Sequence, residues 1–198
     1  MGLSHPGDSV GDMTSTAPQQ YRWTRDGFLR AYEAGAFEGR VELVDGVVWP
    51  VVIGDWHGET VAQAIKVLSR HDGVKATSSS LPTGDSVPDP DLWIRTADAR
   101  PARQVSRRLS QWNAADVLLV VEISDETLMA DLTTKAALYG SGGYPNYWVI
   151  GTDVIYAHTE PIAGGYRVRT EYRRGDRIPV PYADADLPVD DLLAAGDN

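Results

Sequence analysis

Apolar and polar positions change period several times along this chain, and each change predicts an element. In "YRWTRDGFLRAYEAGAF", Phe28, Leu29 and Tyr32 fall on one helical face, Thr24 stands where an N-cap belongs, and Gly35 ends the run. "RVELVDGVVWPVV" is two β-rich runs around Asp45-Gly46, the strongest short signal for a hairpin. "WHGETVAQAIKVLSRHDG" returns to the helical period, with Val61, Ile65 and Leu68 inward and Gly73 past its end. "VKATSSS" predicts a strand. "LPTGDSVPDPDLWIRT" is turn chemistry running into a strand at 92–95. Residues 96–115 make a long polar connection, expected to be partly helical. "VLLVVEI" is apolar at almost every position, as in a strand covered on both faces. A helix is expected from Thr127 to Gly140. "YWVIGTDVIYAHT" and "GYRVRTEYRRGDRIPVP" follow as antiparallel strands with Gly and Asp turns, and "LPVDDLLAAG" as one last helical turn. No internal repeat interrupts this order.

Helix, hairpin, helix, strands, helix and meander predict an α/β fold. Its core is a mixed β-sheet flanked by helices, with a C-terminal antiparallel β-meander. Residues 1–20 are rich in Gly, Ser, Thr and Pro and predict a disordered tail. Residues 21–195 predict a single domain.

Composition narrows the picture. The chain has 198 residues, enough for one real core, with 42% apolar and 23% charged residues. No run approaches the roughly 18 apolar residues of a membrane span, so no membrane partner is expected. The N-terminus lacks an apolar signal region, and Pro6 occupies the Ser/Thr position of a myristoylation motif. Without cysteine, disulfides and thiolate metal sites are excluded, and a cytoplasmic location is the default expectation. The net charge of −10 counts against a non-specific nucleic-acid binder but leaves room for a local basic groove.

Candidate chemistry begins in the apolar strand. Glu122 shares a face with Leu118, Val120 and Ser124, where an ionised carboxylate is costly without a cation or donors. On the next helix, Leu128, Leu132, Ala136 and Tyr139 fall within about 80° of one another at about 100° per residue. Lys135 lies inside that arc, with Asp131 one turn earlier and near its edge. A buried ion pair or a snorkelling lysine would explain an acid and a base there. Asp91 shifts the balance. Of the two aspartates in "PDPD" it adjoins the strand, and Pro88 and Pro90 fix its approach. Two carboxylates at adjacent strand ends can hold a hard divalent cation through oxygen, and a nearby lysine can stabilise charge on a transferring phosphate.

Asp, then Glu in an apolar strand, then Lys resembles the PD-(D/E)xK nuclease superfamily. The usual lysine position, two residues after the acid, is Ser124 here; Lys135 matches the variant with the lysine on the following helix. The fuller text resembles the Uma (Uma-two) family of restriction-endonuclease-like proteins. The resembling pieces are "VELVDGVV", His57 at a helix start, "PDLWI", "LVVEISDET", "DLTTKAALY" and "GGYPNYWVI", spread over roughly residues 25–195. The resemblance implies a restriction-endonuclease-like fold and metal-dependent hydrolysis of nucleic acid. It implies Asp91, Glu122 and the carbonyl of Ile123 as ligands of Mg²⁺ or Mn²⁺. Lys135 would be the catalytic base or electrophile, with Glu42 of "ELVDG" near the same site. DNA is favoured over RNA as partner, and a homodimer is compatible with the family. Where many members have "SPST" after the Glu strand, this chain has "SDET", which adds Asp125 and Glu126 near the phosphate path.

Two readings of another class remain. One is a catalytically silent protein that keeps this fold for binding or regulation, which the acidic charge supports. The other is a glycosidase using Asp91 and Glu122, which leaves Lys135 unexplained. "ARPARQVSRRLSQWNAA" carries Arg100, Arg103, Arg107 and Arg108 and no acid. It is the best phosphate-binding candidate, with Trp112 able to stack on a base, unless it is simply a solvated flap. The four histidines lack zinc-ligand spacing, no Walker-type loop is present, and Trp56, Trp93 and Trp148 are expected in the core.

Overall fold

The computed structural model describes residues 21–51 and 53–193. The expected N-terminal tail, 1–20, and the last residues of the expected domain and helical tail lie outside them. Helix α1 (Arg25–Glu33) starts at Thr24, whose hydroxyl accepts a hydrogen bond from the Gly27 amide at 3.2 Å. Phe28 and Leu29 are buried as expected, but Tyr32 is 41% exposed and faces outward. Strands β1 (Val41–Val44) and β2 (Val47–Pro50) pair antiparallel across Asp45-Gly46. Both turn residues have positive φ, 47° and 77°, as the tight two-residue hairpin turn requires.

Helix α2 (Asp55–Leu68) buries Thr60, Ala64, Val67 and Leu68. The expected inward residues Val61 and Ile65 are only partly buried, so the helix is rotated slightly from its apolar pattern. The main sheet is built from β3 (Val74–Thr77), β4 (Leu92–Thr96), β7 (Val117–Ile123), β8 (Asn146–Ile150), β9 (Val154–Ile162) and β10 (Gly165–Arg173). Their spatial order is β10-β9-β8-β7-β4-β3, and every pairing is antiparallel except β7 with β8. Parallel neighbours need a crossover. Here it is a helical segment in three parts: α3 (Leu128–Ala130), a π-helical turn at Asp131–Lys135, and α4 (Ala136–Ser141). Strands β8 to β10 form the expected meander. Strands β11 (Arg177–Pro179) and β12 (Asp186–Pro188) form a separate two-stranded sheet. The described part of the C-terminal tail ends in a 3-10 turn at Val189–Asp191.

The connection at 96–115 corrects an expectation. It holds no α-helix. It makes a small hairpin of β5 (Arg103–Gln104) and β6 (Ser110–Gln111), then a 3-10 turn at Ala114–Asp116. Val105 and Leu109 pack against the small core of Phe28, Leu29, Leu43 and Val87.

The sheet separates two larger cores. On one face Leu119, Val121 and Ile123 of β7 meet Ala64, Val67 and Leu68 of α2. On the other, Val120 packs with Trp93, Tyr139 and Tyr147 beneath α4. Alternation along β7 therefore assigns Glu122, with Val120, to the face under the crossover helix.

Candidate functional site

Strand register brings the first two acids together. Leu92 pairs with Val121 and Trp93 with Val120. Continued by one step, this register sets Asp91 opposite Glu122, and directly opposite residues of an antiparallel pair share a face. Asp91 sits where the Pro-constrained approach enters β4, and its carboxylate Oδ2 accepts from the Ile123 amide at 2.7 Å. The same oxygen lies 3.1 Å from Nε2 of His57, in the first turn of α2. Asp91 and Glu122 are both buried.

The crossover segment supplies the cation. Lys135 Nζ stands 3.0 Å from Oε1 of Glu122, 3.0 Å from Oε1 of Glu42, and 3.6 Å from Oδ1 of Asp131. Tyr139 donates its hydroxyl to the same Glu122 oxygen at 2.9 Å. Glu42 arrives on β1, which is tied to the approach of β4 by the Leu43–Val87 bridge. Its second oxygen accepts from the Asp89 amide at 3.0 Å. The other aspartate of "PDPD" therefore plays a separate part. Asp89 pairs with Arg40 and accepts from the Ser80 hydroxyl at 3.1 Å.

The π-helical turn shapes this cluster. The Ala136 amide reaches the Asp131 carbonyl five residues back, so one extra residue is held within the turn. The Tyr147 hydroxyl of β8 donates to that same carbonyl at 3.1 Å. In an unbroken α-helix, Leu128 and Leu132 would share the buried arc with Lys135. Instead both are partly buried, while Asp131 is only 2% exposed. Asp131 therefore belongs to the site and not to the edge of the arc. Thr127 holds its second oxygen at 2.7 Å.

A cleft of about 560 Å³ opens onto Glu42, Asp91, Glu122, Asp131 and Lys135, and also onto the Ile123 backbone. Acidic side chains outnumber cations along it, and Asp125 and Glu126 stand at its exposed margin. Burial raises the Glu122 carboxyl well above its ordinary value; Lys135 opposes this, and Asp91, Asp131 and Glu42 add to it. Burial would lower the Lys135 pKa, but Glu122, Glu42 and Asp131 together more than reverse it, so the residue remains an ammonium at neutral pH.

All four residues expected to do chemistry thus line one cleft. Three further participants carry little signal in the sequence. His57 lacks zinc-ligand spacing, and only its place at a helix start hints at a contact. Asp131 is hidden by the π turn, for which the Thr133-Thr134 pair is at most a weak signal. Tyr139 is visible as a core residue but not as a donor to Glu122. Trp112 is placed differently from its expected stacking role: it packs edge-on to Trp93 at 5.5 Å and beneath the Arg95 guanidinium at 4.5 Å.

Among the described residues, no group of three or more His, Cys, Asp or Glu side chains is arranged to hold a metal ion. The donor chemistry still suits a hard cation. Mg²⁺ commonly takes one or two carboxylates and keeps several waters, and Asp91, Glu122 and the Ile123 carbonyl offer oxygen ligands of that kind. No helix among the described residues is long and apolar enough to cross a membrane.

The fold is similar to a crystal structure described as a "putative nuclease belonging to DUF820" from Anabaena variabilis. The TM-score is 0.63 at 15% identity, over 86% of this chain and 97% of that one. Curated proteins give no match. The family model described as "Uma2: Putative restriction endonuclease" matches residues 27–188. With that model spanning most of its length, the chain belongs to the Uma2 family of putative restriction endonucleases.

Proposed function

We propose that this protein is a divalent-metal-dependent endonuclease that hydrolyses phosphodiester bonds of nucleic acid. The family description favours DNA over RNA as its substrate. The observation that carries this reading is the Lys135 ammonium, buried at 3.0 Å from both Glu122 and Glu42 in the cleft that Asp91 also lines. A purely structural lysine needs one carboxylate partner. A second and third surplus acid make sense where further positive charge is to be bound.

Asp91 and Glu122, with the Ile123 carbonyl, would hold Mg²⁺ or Mn²⁺. When bound, such a cation would screen phosphoryl charge and lower the pKa of a water so that it ionises near neutral pH. The chain's own residues do the rest. Lys135 would serve as base or electrophile: as an ammonium it can donate to a phosphoryl oxygen as charge builds there. Glu42 is a positioning residue: one oxygen holds Lys135, and the other is fixed by the Asp89 amide. Tyr139 and the Ile123 amide orient Glu122 and Asp91.

The second reading is a catalytically silent scaffold. The acidic margin at Asp125 and Glu126, which repels a polyanion, favours it. Calorimetric titration with Mn²⁺, paired with cleavage of duplex DNA, separates the two. An endonuclease binds the cation and cuts, and Glu122→Gln loses both. A parent protein that neither binds Mn²⁺ nor cuts under any divalent cation is the silent scaffold.

A further inference from the structure

A second cavity, of about 370 Å³, opens on the other side of Asp89. Asp89 lines both cavities, and it lies two residues before Asp91. Two residues of chain span at most about 7 Å, the rise of roughly two nucleotides along one strand of a duplex. The two cavities are therefore neighbours on the scale of a nucleic-acid backbone.

The lining combines apolar, cationic and acidic groups; of its two carboxylates, Asp89 pairs with Arg40, and Glu33 accepts from the Arg107 amide at 2.8 Å. Leu29 and Leu109 give an apolar floor, and Tyr32 adds an aromatic ring that is 41% exposed and outside the main cores. Opposite in chemistry are two guanidinium groups and the serines that follow β3. Arg40 is held by Asp89: its Nε pairs with that carboxylate, and Asp89 is in turn fixed by the Ser80 hydroxyl and by its own amide on Glu42. Arg40 makes no other ion pair among the described residues. Arg108, at the hairpin of β5 and β6, is exposed; its amide bonds Ser106, and its guanidinium makes no ion pair among the described residues. In a chain of net charge −10, two arginines beside an exposed tyrosine mark a place for an anion with a flat, partly apolar body.

We infer that this second cavity is a nucleotide subsite. The geometry assigns the base to Tyr32 and the phosphate to Arg108 and Arg40, all of which line the cavity. Resting on the endonuclease reading, the subsite holds a nucleotide close to the scissile phosphodiester and sets the register of the strand in the acidic cleft. A phosphate on an arginine pair is fixed by charge-assisted hydrogen bonds, while the stacked base adds binding without demanding one sequence.

The test uses the full chain in EDTA, so that no cation bridges a phosphate to the first cleft. Deoxyadenosine 5′-monophosphate and inorganic phosphate are titrated calorimetrically against the parent, Arg108→Ala, Tyr32→Ala and Lys135→Met, each first shown by circular dichroism to be folded in EDTA. Both Arg108 and Tyr32 are exposed, so their replacement leaves the cores intact. The expected result is that the nucleotide binds the parent more tightly than phosphate does. Arg108→Ala and Tyr32→Ala each weaken it about tenfold or more, the scale of one charged hydrogen bond or one stacked base, while Lys135→Met binds like the parent. No nucleotide binding by the parent overturns the proposal. So does binding that Lys135→Met abolishes and the other two substitutions leave unchanged, because the nucleotide then sits in the first cleft. Failure of the endonuclease reading looks different: the nucleotide binds as expected, but no divalent cation supports cleavage. Cleavage with an unchanged KM in Arg108→Ala and Tyr32→Ala would keep the endonuclease and remove the subsite.

Discussion

Lys135 is the residue on which the functional reading turns, and one substitution separates its two explanations. Lys135→Met keeps length and apolar bulk while removing charge. A lysine that only braces its neighbours leaves buried carboxylates unpaired when lost, at a cost of ~3–5 kcal/mol. In the endonuclease, a bound Mg²⁺ compensates those acids, so urea denaturation with Mg²⁺ present shows a much smaller loss. Cleavage instead falls by ~10²–10³, the scale of one lost charge-stabilising group. A stable Lys135→Met protein that cuts as fast as the parent removes the lysine from the mechanism. Glu122 gives a second residue-level expectation. Because burial raises its folded pKa above the ordinary 4.5, the folded protein keeps a proton that the unfolded chain has already released. The stability from this group is greatest below pH 4.5 and is lost as pH rises through the raised folded value. Denaturation of parent and Glu122→Gln from about pH 4 to about pH 8 should show this slope in the parent alone. Mn²⁺, which favours the ionised form, should flatten it. Equal slopes in the two proteins would contradict the burial argument.

At the scale of elements, the crossover segment carries most of the design. Its π turn brings Asp131 and Lys135 inward together, and its C-terminal end packs unusually close to β10. A Cβ built on Gly140 would meet the Gly165 carbonyl oxygen at 1.9 Å, with backbone and not a flexible side chain in the way. Gly140 reads in sequence as the end of the helix, yet the helix continues to Ser141. The glycine is there for the close approach. Gly140→Ala should therefore destabilise by about 1–3 kcal/mol, the usual cost of overpacking, despite alanine's better helix propensity. Gly58 in α2 makes the opposite case. It is exposed, with nothing within 4 Å of an added Cβ, so Gly58→Ala should stabilise by roughly 0.5–1 kcal/mol. Chemical denaturation of the pair checks both signs. A neutral or stabilising Gly140→Ala would show that α4 and β10 are free to move apart.

For the whole molecule, the distribution of charge matters more than its sum. Eight acidic residues line the first cleft, where α2, the β1–β2 hairpin and the crossover segment converge. A cation bound only by the folded protein must stabilise it by mass action, by about 2.7 kcal/mol at a hundredfold excess over Kd. Thermal melts should accordingly shift upward with Mn²⁺ in the parent and stay fixed in Asp91→Asn and Glu122→Gln. An equal shift in all three would place the cation elsewhere on the acidic surface.

Local chemistry alone determined much of this protein. The Asp45-Gly46 hairpin, the Thr24 cap, the doubly covered strand at 117–123 and the fold class were readable because each rests on neighbouring residues and a fixed period. Glu122 and Lys135 could be picked out because charge inside an apolar pattern is costly and so conspicuous, and Asp91 because it adjoins an apolar strand behind two prolines. Tertiary structure decided what those signals cannot carry. The orientation of α2, the outward turn of Tyr32 and the short hairpin within 96–115 depend on which surface each segment meets. Asp131 entered the site only because Tyr147, from a different strand, joins Ala136 on one carbonyl in a widened turn. Asp89 came to line two cavities only when β1, the strand approach and α1 came together. Periodicity reports which face of a segment is apolar; it does not report which neighbour lies across from it, and the neighbour is what turns a buried charge into a site.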